Sequence, residues 1–150
     1  MKTENTHDHA NAIISAVAGM VQEYFDRQGK PAVEASAAIC IIEDSGSVSG
    51  RIFGTDKSDR IILREKYQIA WKKASQVWIT GMKTFDFEQK VFNSELNYRE
   101  FGIQPPDFIG WKGGQPVELK DGTKLSIGFS GFSQQDDVEI ILRAIKKLEI

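Results

Sequence analysis

The sequence is short of the residues that carry most covalent and metal chemistry. Among its 150 residues there is one cysteine, Cys40, and there are two histidines, His7 and His9. A single cysteine closes no internal disulfide, which points to a reducing, cytoplasmic setting. No spaced set of Cys and His resembles a zinc site. No apolar run reaches the ~20 residues of a membrane span. The segment from Met1 to His9 is polar and lacks the pattern of a secretory leader, so no membrane partner is expected. Charge of one sign is also missing: 19 Lys and Arg face 21 Asp and Glu, a net charge of −2. That balance leaves no electrostatic footprint for nucleic acid. Phosphate-binding loops, dinucleotide fingerprints and serine elbows are absent too. What remains is ordinary for a globular chain, at 41% hydrophobic and 27% charged residues. One domain over 1–150 is expected, with residues 1–6 a frayed polar end.

Local patterns supply the elements. Apolar residues at helical spacing predict a helix over 7–27, with Thr6 or Asp8 as its cap and Gly29 and Pro31 as its end. The run from Ala37 to Ile42 reads as a buried strand within 34–43, and Val48 to Gly54 as its hairpin partner across Asp44–Ser47. A second helix is expected over 59–73, capped by Ser58 or Asp59. Ser75 suggests a break before a third helix over 76–82, and a fourth spans about 85–92. Residues 95–112 form a loop rich in aromatics, with paired prolines at 105 and 106. Val117–Leu119 and Lys124–Phe129 read as a hairpin across Asp121-Gly122, with Leu125, Ile127 and Phe129 on one face. Ser133 opens the last helix, with Asp136 completing a capping box and Val138, Ile141, Leu142, Ile145 and Leu148 as its apolar stripe. Runs of strands rather than strict alternation with helices define an α+β class with an antiparallel sheet.

Several of these motifs stand in a familiar order. Gly113-Gly114-Gln115-Pro116, Asp121-Gly122, Ile127-Gly128-Phe129-Ser130-Gly131 and Gln135-Asp136-Asp137 follow one another at set spacings. Upstream, Ile41-Ile42-Glu43-Asp44-Ser45-Gly46 and Arg51-Ile52-Phe53-Gly54 precede a helix with Lys66 and Ala70. Over roughly residues 36–145 the chain resembles the GlcG/HbpS-like family of small haem-associated domains. Lys66-Tyr67 stands where that family carries a Lys-Ala dipeptide, and Tyr98 and Phe101-Gly102 lack a histidine that a sister family has. The resemblance implies a profilin-like α+β fold, a central antiparallel sheet flanked by helices, with N- and C-terminal helices. It also implies homo-oligomers, a small-molecule ligand and, for some relatives, haem as cofactor. Fold resemblance alone does not fix function.

The candidate residues follow. Lys66 could hold a carboxylate, against the plainer reading of a solvated lysine. Gly113, Gly114, Ser130 and Gly131 could offer backbone amides to an anion, against tight turns and close packing. Trp111, with Phe108, could line an apolar wall or lid, while Trp71 and Trp78 suit core or interface packing. Asp136 and Asp137 are explained by capping more readily than by catalysis or metal binding. His7 and His9 could ligate haem iron, with Tyr98 or Met82 as substitutes. Cys40, buried between isoleucines, reads as inert. Three functions compete: a small-molecule or haem-binding oligomeric domain; an enzyme on a small organic acid or aldehyde, with Lys66 as anchor, base or Schiff-base former; and a ligand-free assembly module.

Overall fold

The computed structural model describes the backbone of residues 2–150 and side chains from Asp8 onward. The expected fraying of residues 1–6 and the side chain of His7 lie outside the described side chains. Among the described residues five α-helices and four strands follow in the order α1 (Lys2–Ala18), α2 (Val21–Gln28), β1 (Ser36–Glu43), β2 (Val48–Gly54), α3 (Arg60–Thr80), α4 (Thr84–Phe92), β3 (Gly114–Glu118), β4 (Lys124–Ser130) and α5 (Gln134–Leu148). The strands form one antiparallel sheet in the order β2-β1-β4-β3, so the class is α+β as the strand pattern implied. No helix among the described residues is long and apolar enough to cross a membrane.

β1 is buried along its whole length because both sheet faces are covered. On one face Ala37, Ile39 and Ile41 join Leu125, Ile127 and Phe129 of β4 beneath α1, α2 and α5. Each buried Ile, Leu or Phe side chain there stabilises the fold by about 1.5–3 kcal/mol. On the other face Ala38, Cys40 and Ile42 meet Ala70 and Ala74 of α3. The period-2 alternation of a strand sends successive residues to these two cores.

Local chemistry sets most boundaries and corrects several expectations. The single helix expected over 7–27 is two, because the chain turns at Gly19 and Met20; Gly29 then ends α2 at φ +64°. Thr6 and Asp8 lie inside α1, which starts at Lys2, so neither stands at the helix start. The two helices expected over 59–82 are one, capped by Asp59, whose carboxylate accepts from the Ile61 amide at 2.8 Å. Ser75 does not break it, because its hydroxyl bonds back to the Trp71 carbonyl at 2.8 Å. β3 starts earlier than expected, and Pro116 is tolerated there because β3 is an edge strand. Ser133 caps α5 by accepting from the Asp136 amide at 3.2 Å, but the Asp136 carboxylate turns to Arg27 at 2.7 Å rather than closing a capping box. Leu142 points outward, and Asp137, Ile140, Ile141 and Ala144 form the buried side of α5 instead.

The seating of α3 is the tightest contact of the fold. A Cβ added to Gly128 would clash with the Ala70 carbonyl and stand 2.6 Å from the Ala74 amide. Helix backbone therefore lies directly on strand backbone, which only glycine permits. Gly128→Ala is expected to lower stability by about 1–3 kcal/mol or more, as overpacking does in closed sites. Gly19→Ala, where the nearest atom would be 3.5 Å away, is the matched control with little change. Urea denaturation of the two variants checks the contrast.

Candidate functional site

The site grows from that seating. α3 runs so that Ala70 and Ala74 cover Gly128, while Val77 borders Ser126 two residues earlier in β4. Going the other way α3 crosses the sheet, so that Tyr67 meets Gly50 and Leu63 meets Gly54, both in β2. Side chains on a helix lean towards its N-terminus, and Lys73 accordingly reaches the level of Phe129.

Lys73 is the centre of the cluster and is only 2% exposed. Its ammonium donates to the Phe129 carbonyl at 2.8 Å and to Asp137 Oδ2 at 3.3 Å. Asp137, 3% exposed, takes the Phe132 amide on its other oxygen at 2.9 Å. Gly113 closes the third side at φ +114°, where a Cβ would be 2.8 Å from Lys73 Nζ and 3.1 Å from Asp137 Cβ. α3, β4, α5 and the entry to β3 thus converge on one ion pair. Burial pushes the Asp137 carboxyl up to about 7, opposed by Lys73, the Phe132 amide and Lys66. Burial lowers the Lys73 ammonium, opposed by Asp137 and reinforced by the like charge of Lys66. Lys66, half-buried on the same flank of α3, is the more accessible cation of the cluster.

Side-chain amides and hydroxyls hold the aromatic loop against this centre. Gln76 donates to the Ile109 carbonyl at 2.7 Å and accepts the Ile109 amide at 2.9 Å. Thr84 donates to the Trp111 carbonyl and accepts the Gly114 amide at 3.3 Å. Phe87 packs edge-on against Phe101 at 5.3 Å, and Phe108 lies between Phe87 and Tyr98. The backbone delivered by these contacts is Trp111-Lys112-Gly113.

The residues expected from sequence are divided by this geometry. Lys66, Gly113, Ser130 and Gly131 come to the same end of the sheet. Ser130 is 5% exposed, faces α3, and its hydroxyl joins no hydrogen bond among the described residues. Gly131 is close-packed, since a Cβ there would be 2.5 Å from the Ser36 carbonyl. Gly114 lies one step into β3 with its amide committed to Thr84, so the glycine pair does not present two free amides. Trp111 is 55% exposed, and Lys112 beside it places its ammonium 5.0 Å from the Phe85 ring centre. Trp71 and Trp78 are exposed rather than core residues. His9 lies elsewhere, paired with Asp121 at 2.9 Å in the turn before β4. Burial pushes the Cys40 thiol up to about 11, with a hydrogen bond to Tyr67 opposing it. No cluster of three or more potential metal-ligating side chains exists among the described residues.

Sequence reasoning did not single out Lys73. The signal was present: Lys73-Ala74 is itself a Lys-Ala dipeptide, two helical turns beyond Lys66. Asp137 was read chiefly as a helix-start residue, and only its burial shows that it answers a lysine.

An α+β domain with helices on both faces of a four-stranded antiparallel sheet, and a buried lysine–aspartate pair at one sheet end, is the class defined so far. Residues 6–146 match the model of the family described as haem degrading protein HbpS-like, and the chain belongs to that family. No curated protein matches it. Among solved structures it is similar to Klebsiella pneumoniae protein ORFY, at TM-score 0.64 and 17% identity over 91% of this chain and 85% of that one. PduOC in complex with haem gives TM-score 0.64 and 17% identity over 91% and 89%. A double mutant of Streptomyces reticuli HbpS gives 0.60 and 16% over 92% and 84%. At these identities the likeness is one of fold.

Two outcomes test the buried pair. Lys73→Ala leaves a buried carboxylate without its cation and is expected to cost about 3–5 kcal/mol, whereas joint replacement by Met at 73 and Leu at 137 costs clearly less. Chemical denaturation of both variants measures the difference. The second outcome concerns pH. The Asp137 carboxyl is raised to about 7 in the fold, above the ~3.9 of an unfolded chain. The folded chain therefore keeps a proton that the unfolded chain has released. This contribution is full below the unfolded value and is lost as pH rises through the folded one. Asp137→Asn is expected to remove that component, flattening the fall of melting temperature between about pH 4 and 7.

Proposed function

We propose that the chain is a small-molecule-binding domain whose ligand carries a carboxylate, with haem the first compound to test. The observation that carries this reading is the buried Lys73–Asp137 pair at the sheet end, with the accessible cation Lys66 on the same flank of α3 and Ser130, whose hydroxyl joins no hydrogen bond among the described residues, next to Phe129 in β4. An ammonium and a hydroxyl that converge are suited to one carboxylate. The exposed rings of Trp111 and Phe85 border the same end through Lys112 and Gly113, and offer apolar surface to the rest of the ligand. PduOC, similar in fold, is a haem-binding structure, which supports haem as the first candidate. A Schiff-base enzyme is less well supported: the lysine most altered by its surroundings is Lys73, which is 2% exposed and spends two of its donors inside the protein.

The reading includes assembly as a homo-oligomer. β2 is a free sheet edge, and Val48 and Ile52 on it are 46% and 45% exposed on the face that also carries α3. Apolar edge strands of this kind call for a cover. Native mass spectrometry of the protein from its own host is expected to show an oligomer with a bound acid, and Lys66→Ala is expected to release it. A clean monomer without added mass, and no Soret shift on titration with haem, would overturn the proposal.

A further inference from the structure

Among the described side chains, those able to ligate iron lie away from the candidate site. Haem iron is held by imidazole, thiolate, thioether or phenolate groups. His9 is tied to Asp121 in the turn before β4, whereas Ser130 ends that strand, about 20 Å away over seven residues. Cys40 is fully buried beneath α3 and faces Tyr67. The Tyr67 hydroxyl leans the other way, against Gly50 of β2, where a Cβ would stand 2.8 Å from it. Tyr98 is packed against Phe108 in the aromatic cluster. Met82 follows the C-terminal end of α3, about 24 Å along the helix from Lys66. The groups assigned to the site are of another kind. Lys66 presents a cation and Ser130 an unpartnered hydroxyl. Lys73 has three N–H donors, of which the structure engages two.

We infer that this site reads the carboxylate edge of its ligand and not a metal at the ligand's centre. The inference rests on the ligand-binding reading above and makes it specific. For a porphyrin, the propionates are held by Lys66 and Ser130, and the identity of the central atom is indifferent.

Three probes test it on the full chain, followed by quenching of tryptophan fluorescence and by the shift in melting temperature: haem, iron-free protoporphyrin IX, and protoporphyrin IX dimethyl ester. Haem and protoporphyrin IX are expected to bind within about threefold of each other. The ester is expected to bind about tenfold or more weakly, since it cannot form the charge-assisted bond. Lys66→Met and Ser130→Ala are expected to weaken both acids alike, while His9→Ala leaves them unchanged. Haem binding at least about tenfold tighter than protoporphyrin IX, lost in a histidine variant, overturns the inference but spares the ligand reading. Equal binding of the ester overturns it as well. Binding of none of the three probes overturns the ligand reading and this inference with it.

Discussion

The contact on which the rest of this structure depends is the one between Lys73 and Asp137. Each group alone would be untenable at 2–3% exposure, because an isolated buried charge costs several kcal/mol. Together they are bearable only with every supporting bond in place. The Phe129 carbonyl needs β4 in register, the Phe132 amide needs the turn into α5, and the approach to Gly113 needs the aromatic loop delivered correctly. A pair of this sort contributes little net stability over apolar residues. What it specifies is relative placement, since four separately coded segments satisfy it in one arrangement.

That placement explains why the accessible chemistry gathers where it does. Lys66 lies two turns before Lys73 on the same flank of α3, and Ser130 follows Phe129 directly in β4. Fixing the buried pair therefore fixes a cation and a hydroxyl beside it. Gln76 and Thr84 perform the same office for the loop, turning polar side chains towards the backbone at Ile109, Trp111 and Gly114. The family to which the chain belongs, and the folds it resembles, fit a domain organised around one end of its sheet.

Much of the fold was legible in the residues themselves. The apolar run from Ala37 to Ile42, the Val48–Gly54 partner, the alternation of Leu125, Ile127 and Phe129, and the Ser133 cap each encode their element locally. The errors came where a local signal was overruled by its surroundings. Ser75 looked like a break, yet its hydroxyl is satisfied within the helix by Trp71. Residues 7–27 kept helical spacing across Gly19, although the chain turns there. Lys66 and Gly113, named from the sequence, do come near the buried pair, but Lys73 was not legible, because its partner Asp137 arrives from 64 positions away. A capping pattern was read at Asp136 for the same reason: sequence spacing could not reveal that Arg27 competes for its carboxylate.

The contact between Gly128 and the backbone of Ala70 and Ala74 has a further meaning for how such a domain can change over time. Where two main chains touch, there is no side-chain volume to exchange, and the helix has one permitted depth above the sheet. Its axis behaves as a fixed rail. Variation among proteins built this way must then enter along the flanks of the rail, through residues such as Lys66 and Trp111, while the rail itself tolerates almost no drift. A lineage could change those flanks many times without altering the depth at which the helix lies on the sheet.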